Sequence, residues 1–154
     1  MKIALASDHA GLELKQGVMS YLSQKGIGFH DFGCGPNEEV DYVDYGGRAV
    51  QRVSSGEYER VILFCGTGLG MAMVANKFKR VRAAPCCDGY AAEMSRRHND
   101  ANCLTLGGRI IPLDEALEIV KIWLETEFEE GRHRRRVDKI LQIEERNFRE
   151  IEEE

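Results

Sequence analysis

The residues best placed to do chemistry lie in one stretch, Val61-Ile62-Leu63-Phe64-Cys65-Gly66-Thr67-Gly68-Leu69-Gly70. An apolar strand pattern runs into a cysteine, then into a loop with three alternating glycines, and a helix-like run over 71–78 follows at once. That order sets Cys65 at the carboxyl end of a buried strand and the loop amides at a helix N-terminus. Such amides have no intrahelical acceptor, and the helix dipole favours negative charge beside them. Glycine lets the backbone turn sharply and approach a ligand closely. The stretch therefore offers an anion cradle and a potential thiolate in one turn, and a thiolate is a base. A cysteine after an apolar strand is, alone, more often a small core residue; the three glycines behind it shift the reading towards function.

Other chemistry-bearing residues are more scattered. Histidine gives and takes protons near neutral pH, which makes His98 a candidate acid and base. Arg132 and Arg136 are four apart, on one face if helical, and guanidinium forks suit phosphate oxygens. The plainer readings are a solvated, salt-bridged face for the arginines and a dipole contact for His98 at a helix end. His9 is evenly divided between a helix-start hydrogen bond and a ligand contact. His30 reads as structural, Cys34, Cys86, Cys87 and Cys103 as buried or incidental thiols, and Met71, Met73 and Met94 as core filler.

The elements that must position these groups alternate. Strand patterns fall at 2–7, 27–32, 61–64, 81–87 and 103–106. Helical patterns fall at 12–25, 41–54, 71–78, 88–98 and 114–128, with Gly26 closing the first and Asp88 capping the fourth. Alternation at these spacings predicts a five-stranded parallel sheet between helices, a three-layer Rossmann-like α/β sandwich. Ligands in such sheets sit beyond the carboxyl ends of the strands, here at Asp8, His9, Cys65, Thr67 and Arg109. The last stretch, about 132–154, opens on Arg132-His133-Arg134-Arg135-Arg136 and ends on Glu152-Glu153-Glu154. Val137, Ile140, Leu141, Phe148 and Ile151 give it the stripe of an amphipathic helix, which must bury that stripe, for instance on a neighbouring subunit.

The 154 residues, 43% hydrophobic and 31% charged, fit one globular domain over 1–154. A net charge of −5 argues against general nucleic-acid binding. The N-terminal apolar run is broken at Asp8, too short for a signal peptide, and no run approaches the roughly 18 residues of a membrane span. Five cysteines, an odd number with no C-x-x-C pair, predict reduced thiols in the cytoplasm.

A set of motifs adds to this. Ser7-Asp8-His9-Ala10-Gly11, Val40-Asp41-Tyr42, the Cys65–Gly70 loop, Ala75-Asn76-Lys77, His98-Asn99-Asp100-Ala101-Asn102, Gly107-Gly108-Arg109 and Gly131–Val137 occur in this order over about 1–142. Together they closely resemble the type B ribose-5-phosphate isomerases of the ribose/galactose isomerase family. The resemblance implies an aldose–ketose isomerase for a sugar phosphate, with no metal and no organic cofactor, working as a homodimer or a dimer of dimers. It implies that Cys65 moves the proton between C1 and C2, and that amides of Gly66, Gly68, Leu69 and Gly70 hold the enediolate oxygen. His98, with Thr67 assisting, would open the sugar ring. Asp8, Tyr42 and Asn99 would contact hydroxyls, and His9, Arg109, Arg132 and Arg136 the phosphate. Val43 stands where many relatives have proline, and neither Cys86-Cys87 nor the acidic tail has an assigned role.

Rival functions fit less well. The loop reads G-x-G-x-G, not the G-x-G-x-x-G of a dinucleotide site. A cysteine phosphatase wants an arginine where Met71 stands. A non-catalytic sugar-phosphate sensor has no need of both Cys65 and His98. A galactose-6-phosphate or allose-6-phosphate isomerase stays open, because pocket length is not written in the sequence.

Overall fold

A computed structural model describes residues 1–152. The side chains of Glu150, Ile151 and Glu152 and all of Glu153 and Glu154, expected in the C-terminal helix, lie outside the described residues. The strands are β1 (Ile3–Ser7), β2 (Phe29–Asp31), β3 (Arg60–Cys65), β4 (Ala83–Pro85) and β5 (Cys103–Gly107). The helices are α1 (Leu12–Gln24), α2 (Tyr42–Ser54), α3 (Leu69–Ala75), α4 (Gly89–Arg97), α5 (Leu113–Glu125) and α6 (Arg132–Glu152), with a short 3-10 turn at His9–Gly11. The sheet is parallel throughout, in the order β2-β1-β3-β5-β4.

Side chains alternate across each strand, so every strand feeds two cores. On one face Ile3, Leu5, Ile62, Phe64, Leu104 and Leu106 pack with Val18 and Leu22 of α1 and Ile119 and Trp123 of α5. On the other, Ala4, Ala6, Val61, Leu63 and Cys65 pack with Val50 and Val53 of α2 and Met71 of α3. A strand covered on both faces reads as an unbroken apolar run, which is why Val61 to Phe64 stands out in the sequence. The expected caps are present: Asp88 accepts the Ala91 N–H at 2.7 Å, and Gly26 takes φ +69 after α1.

Several boundaries differ from the sequence pattern. β2 and β4 are three residues each, against expected spans of 27–32 and 81–87, because both are edge strands paired on one side only. α3 spans Leu69–Ala75 rather than 71–78. It begins directly after Gly68, whose φ of +79 is left-handed, and it stops where the Asn76 side chain brackets Ala83, accepting its N–H at 2.9 Å and donating to its carbonyl at 3.1 Å. α5 ends at Glu125 because Thr126 turns extended. Met71 is core as expected, but Met73 is 69% exposed: two residues further round the helix, it points away from the sheet.

α6 is anchored at its start, where His133 and Val137 are buried. Further along, Ile140 and Ile143 are about half exposed, and Glu144 receives the Arg80 N–H at 2.9 and 3.0 Å. Among the described residues, no helix is long and apolar enough to cross a membrane.

Candidate active site

From β1 the chain crosses to β2 on one side, and from β3 it crosses to β4 and β5 on the other. The strand order therefore reverses between β1 and β3, and a crevice opens beyond their carboxyl ends. Asp8 and Cys65 stand at that point, joined through the Asp8 N–H, which donates to the Phe64 carbonyl at 3.1 Å.

Cys65 is 4% exposed. Its Sγ accepts the Gly68 N–H at 3.1 Å, so the loop folds back over the thiol. The Gly68 carbonyl in turn accepts the Thr105 hydroxyl at 2.7 Å, tying the loop to β5. A Cβ on Gly68 would lie 3.2–3.3 Å from backbone atoms of Leu106 and Thr105, so the left-handed turn is pressed against the neighbouring strand. Thr67 Oγ1 accepts the Leu69 N–H at 3.2 Å, just ahead of α3, whose N-cap is Gly68. The next first-turn amides, Gly70 and Met71, have no intrahelical acceptor to reach.

Side chains from three other segments close in on this loop. The Tyr42 ring lies over Gly70, where a Cβ would meet it at 2.7 Å. The Arg109 guanidinium lies against Gly66, at 3.3 Å from a Cβ built there. Arg109 is brought in by two backbone bonds, Gly108 N–H to the Cys65 carbonyl at 2.8 Å and its own N–H to the Gly66 carbonyl at 3.0 Å. Asp8 Oδ1 accepts the Gly11 N–H at 3.0 Å, folding the 3-10 turn that presents His9. His9 Nδ1 accepts the Val40 N–H at 3.3 Å, beside the loop that leads to Tyr42. The carboxyl end of the sheet thus gathers Asp8, His9, Tyr42, Cys65, Gly66, Thr67, Gly68, Leu69, Gly70 and Arg109.

His98, Asn99, Arg132 and Arg136 are not in this group. α4 runs back from the carboxyl edge, so His98 at its end lies at the amino edge, next to the 99–102 segment whose Asn102 carbonyl accepts the Val61 N–H at 3.0 Å. The six residues of β3 separate the two edges by roughly 17 Å. At the amino edge His98 and His133 stack, with ring centroids 4.0 Å apart and planes 9° from parallel. Arg132 and Arg136 lie one turn apart on exposed positions of α6. Burial, and then the neighbouring His98 and Arg132 in that order, hold the His133 pKa below the ordinary histidine value of 6.5. Burial also pushes the Cys86 thiol up to about 11 and raises Cys103 further, which leaves both as protonated core groups.

Two residues that matter here carry no signal in the sequence. Thr105 looks like any β-branched strand residue, although it holds the Gly68 carbonyl. His133 sits inside an arginine run that reads as surface, although it is 3% exposed.

Fold and site together define a Rossmann-like α/β protein with a thiol and a glycine loop at its switch point. Residues 3–140 match the family model described as Ribose/Galactose Isomerase, and the chain belongs to that family. It is 50% identical to the solved ribose-5-phosphate isomerase B of Clostridium thermocellum, with a TM-score of 0.93 over 96% of this chain and 99% of that one. It is 41% identical to the ribose-5-phosphate isomerase B of Escherichia coli over 94% of this chain and 97% of the relative. It is 40% identical to a D-erythrulose-4-phosphate isomerase of Pectobacterium atrosepticum over 91% of this chain and 93% of the relative. The family is thus one of sugar-phosphate isomerases whose members differ in substrate.

Proposed function

We propose that this enzyme interconverts ribose 5-phosphate and ribulose 5-phosphate through an enediolate, with Cys65 as the base. The observation that carries the reading is the Gly68 N–H aimed at the Cys65 sulfur at the switch point. Cys65, as thiolate, takes the proton from C2 of the open-chain aldose. The electron pair released forms the C1–C2 double bond, and the C1 carbonyl oxygen takes up the negative charge. With the Gly68 N–H on the Cys65 sulfur and the Leu69 N–H on Thr67, the loop amides of Gly66 and Gly70 stabilise that oxygen, an effect worth about 3–4 kcal/mol per donor in comparable oxyanion sites. Return of the proton from Cys65 to C1, with transfer of the O2 proton to O1, turns C2–O2 into the carbonyl and C1–O1 into the hydroxyl of the ketose. No external oxidant or reductant is needed.

Ring opening comes first and is assigned to His98, with Thr67 assisting. Asp8, Tyr42 and Asn99 hold hydroxyls, while His9, Arg109, Arg132 and Arg136 hold the phosphate. One chain cannot bring both groups to the same sugar, because they occupy opposite edges of the sheet. The reading therefore requires a second copy, with each site taking Cys65 from one subunit and His98 from the other. The half-exposed Ile140 and Ile143 of α6, together with Leu69 and Met73 of α3, offer apolar surface for such a homodimer. The five thiols are free, which suits the reducing cytoplasm.

The test is turnover of ribose 5-phosphate, allose 6-phosphate, galactose 6-phosphate and erythrose 4-phosphate, side by side with a chelator present. Fastest turnover of ribose 5-phosphate, abolished by Cys65→Ala, supports the reading. Preference for a six- or four-carbon sugar keeps the chemistry and changes the substrate. Substantial residual turnover in Cys65→Ala removes the assigned base.

A further inference from the structure

The stacked pair at the amino edge has a design that the reaction steps above do not use. His133 lies in the first turn of α6, is 3% exposed, and covers the His98 ring face to face at 4.0 Å. Its Nε2 accepts from Arg132 Nε at 3.4 Å and lies 3.9 Å from Glu129 Oε1. Glu129 is itself held from α4: Arg97 Nη2 lies at 2.9 Å and Arg97 Nε at 3.1 Å from its Oε2. The residue next to His98 in sequence thus grips the segment that leads into His133. Burial, then the neighbouring His98 and Arg132, hold the His133 pKa below the ordinary histidine value, and the ring meets His98 as a flat plate.

The same three groups, His98, Glu129 and His133, have donor atoms within 4.8 Å of one another. They are built as a stack rather than a chelate. Rings 9° from parallel send their lone pairs side by side instead of towards one point, Arg97 holds Glu129 Oε2, and Arg132 Nε donates to His133 Nε2.

We infer that His133 is a positioning residue for His98: its buried ring fixes the plane of the His98 imidazole for ring opening and takes no part in the later transfer between C2 and C1. The inference rests on the assignment of ring opening to His98. A histidine on the last residue of a helix has free rotamers unless something holds it, and an imidazole turned out of line no longer reaches both the ring oxygen and the anomeric hydroxyl. Misplacement of a catalytic group by about 1 Å is enough to cost roughly 100-fold.

Ring opening can be isolated from isomerisation. In a Cys65→Ala background the carbon proton transfer is removed, while opening and reclosure still exchange the α and β anomers of ribose 5-phosphate. That exchange is read by NMR saturation transfer. Adding His133→Leu is expected to slow enzyme-catalysed exchange by about 10- to 100-fold, and His133→Phe, which restores a flat ring, to recover most of it. With Cys65 intact, the companion measurement uses erythrose 4-phosphate. Its O4 is esterified, so it has no five-membered ring to open, and its kcat is expected to be the same in His133→Leu as in the unaltered enzyme.

Exchange unchanged in His133→Leu but lost in His98→Ala overturns the positioning role and leaves the ring-opening assignment standing. Exchange unchanged in His98→Ala overturns that assignment instead. Equal loss in His133→Leu and His133→Phe, or an equal fall of kcat on both sugars, makes His133 a merely structural residue and refutes the inference.

Discussion

Gly68 and Gly70 lie two residues apart, one just before α3 and one in its first turn, and alanine at the two positions is expected to act differently. At Gly68 the backbone has φ +79, where an L side chain costs about 1–2 kcal/mol. The added Cβ would also sit 3.2–3.3 Å from backbone atoms of Leu106 and Thr105 in a central strand, which cannot retreat cheaply. Overpacking of that kind adds about 1–3 kcal/mol, for a total of about 2–5 kcal/mol. In a chain of this size each kcal/mol moves the melting temperature by about 2–4 °C, so Gly68→Ala is expected to melt about 4–20 °C lower. At Gly70 the three nearest atoms all belong to the Tyr42 side chain, which lies at 2.7 Å but is the far end of a 37% exposed side chain. That ring can swing away, and alanine is the better helix former by up to about 1 kcal/mol. Gly70→Ala is therefore expected to melt within a few degrees of the unaltered protein while raising KM, because Tyr42 leaves its place over the loop. Thermal unfolding by circular dichroism, paired with steady-state kinetics, reads both. A Gly68→Ala protein as stable as the unaltered one, or a Gly70→Ala protein less stable than Gly68→Ala, refutes the packing account of the loop.

Two further outcomes follow from the same structure. Thr105→Val leaves the Gly68 carbonyl without its 2.7 Å partner and is expected to cost about 1–3 kcal/mol in urea unfolding, with a fall in kcat as the loop loosens; no change in either would detach Thr105 from the site. His133 has its folded pKa below 6.5, so between the two values the unfolded chain binds more protons and stability rises with pH. Its contribution is complete above 6.5 and is lost as the pH falls towards the folded value, so His133→Phe is expected to flatten the acid side of the stability profile relative to the unaltered protein. A profile that keeps its acid slope would show that another group sets it.

Much of the carboxyl-edge site was legible because it is written in short, local motifs. A strand, a cysteine and alternating glycines are contiguous, and the Asp8 turn and the Gly107-Gly108-Arg109 turn each mark a strand end. The strand ends follow from the alternation of elements, and their meeting follows from the rule that parallel sheets bind at their carboxyl edge. What could not be read depends on contacts distant in sequence. The limits of α3 are set by Asn76 bonding to Ala83, and the exposure of Met73 by which side of a seven-residue helix meets the sheet. Lys15 falls in the helical stripe beside Leu14 and Val18, and nothing local says that it is fully buried. It is held by Asp31 at 2.8 Å and by the Cys34 carbonyl at 2.6 Å, partners 16 and 19 residues on. The separation of His98 from Cys65 is likewise a matter of helix direction, since α4 must run back across the sheet before β5 can begin.

The central claim, an isomerase site completed by a second copy of the chain, is tested most directly by mixing two inactive variants. Cys65→Ala and His98→Ala are each expected to lack ribose 5-phosphate isomerase activity alone. Unfolded together and refolded at equal concentration, a two-fold dimer with shared sites would contain one intact site in each mixed dimer, about a quarter of all sites. The account predicts recovery of about a quarter of the unaltered activity. If the mixture stays inactive while native mass spectrometry shows that mixed dimers have formed, both residues act within one chain or not at all, and the account is contradicted.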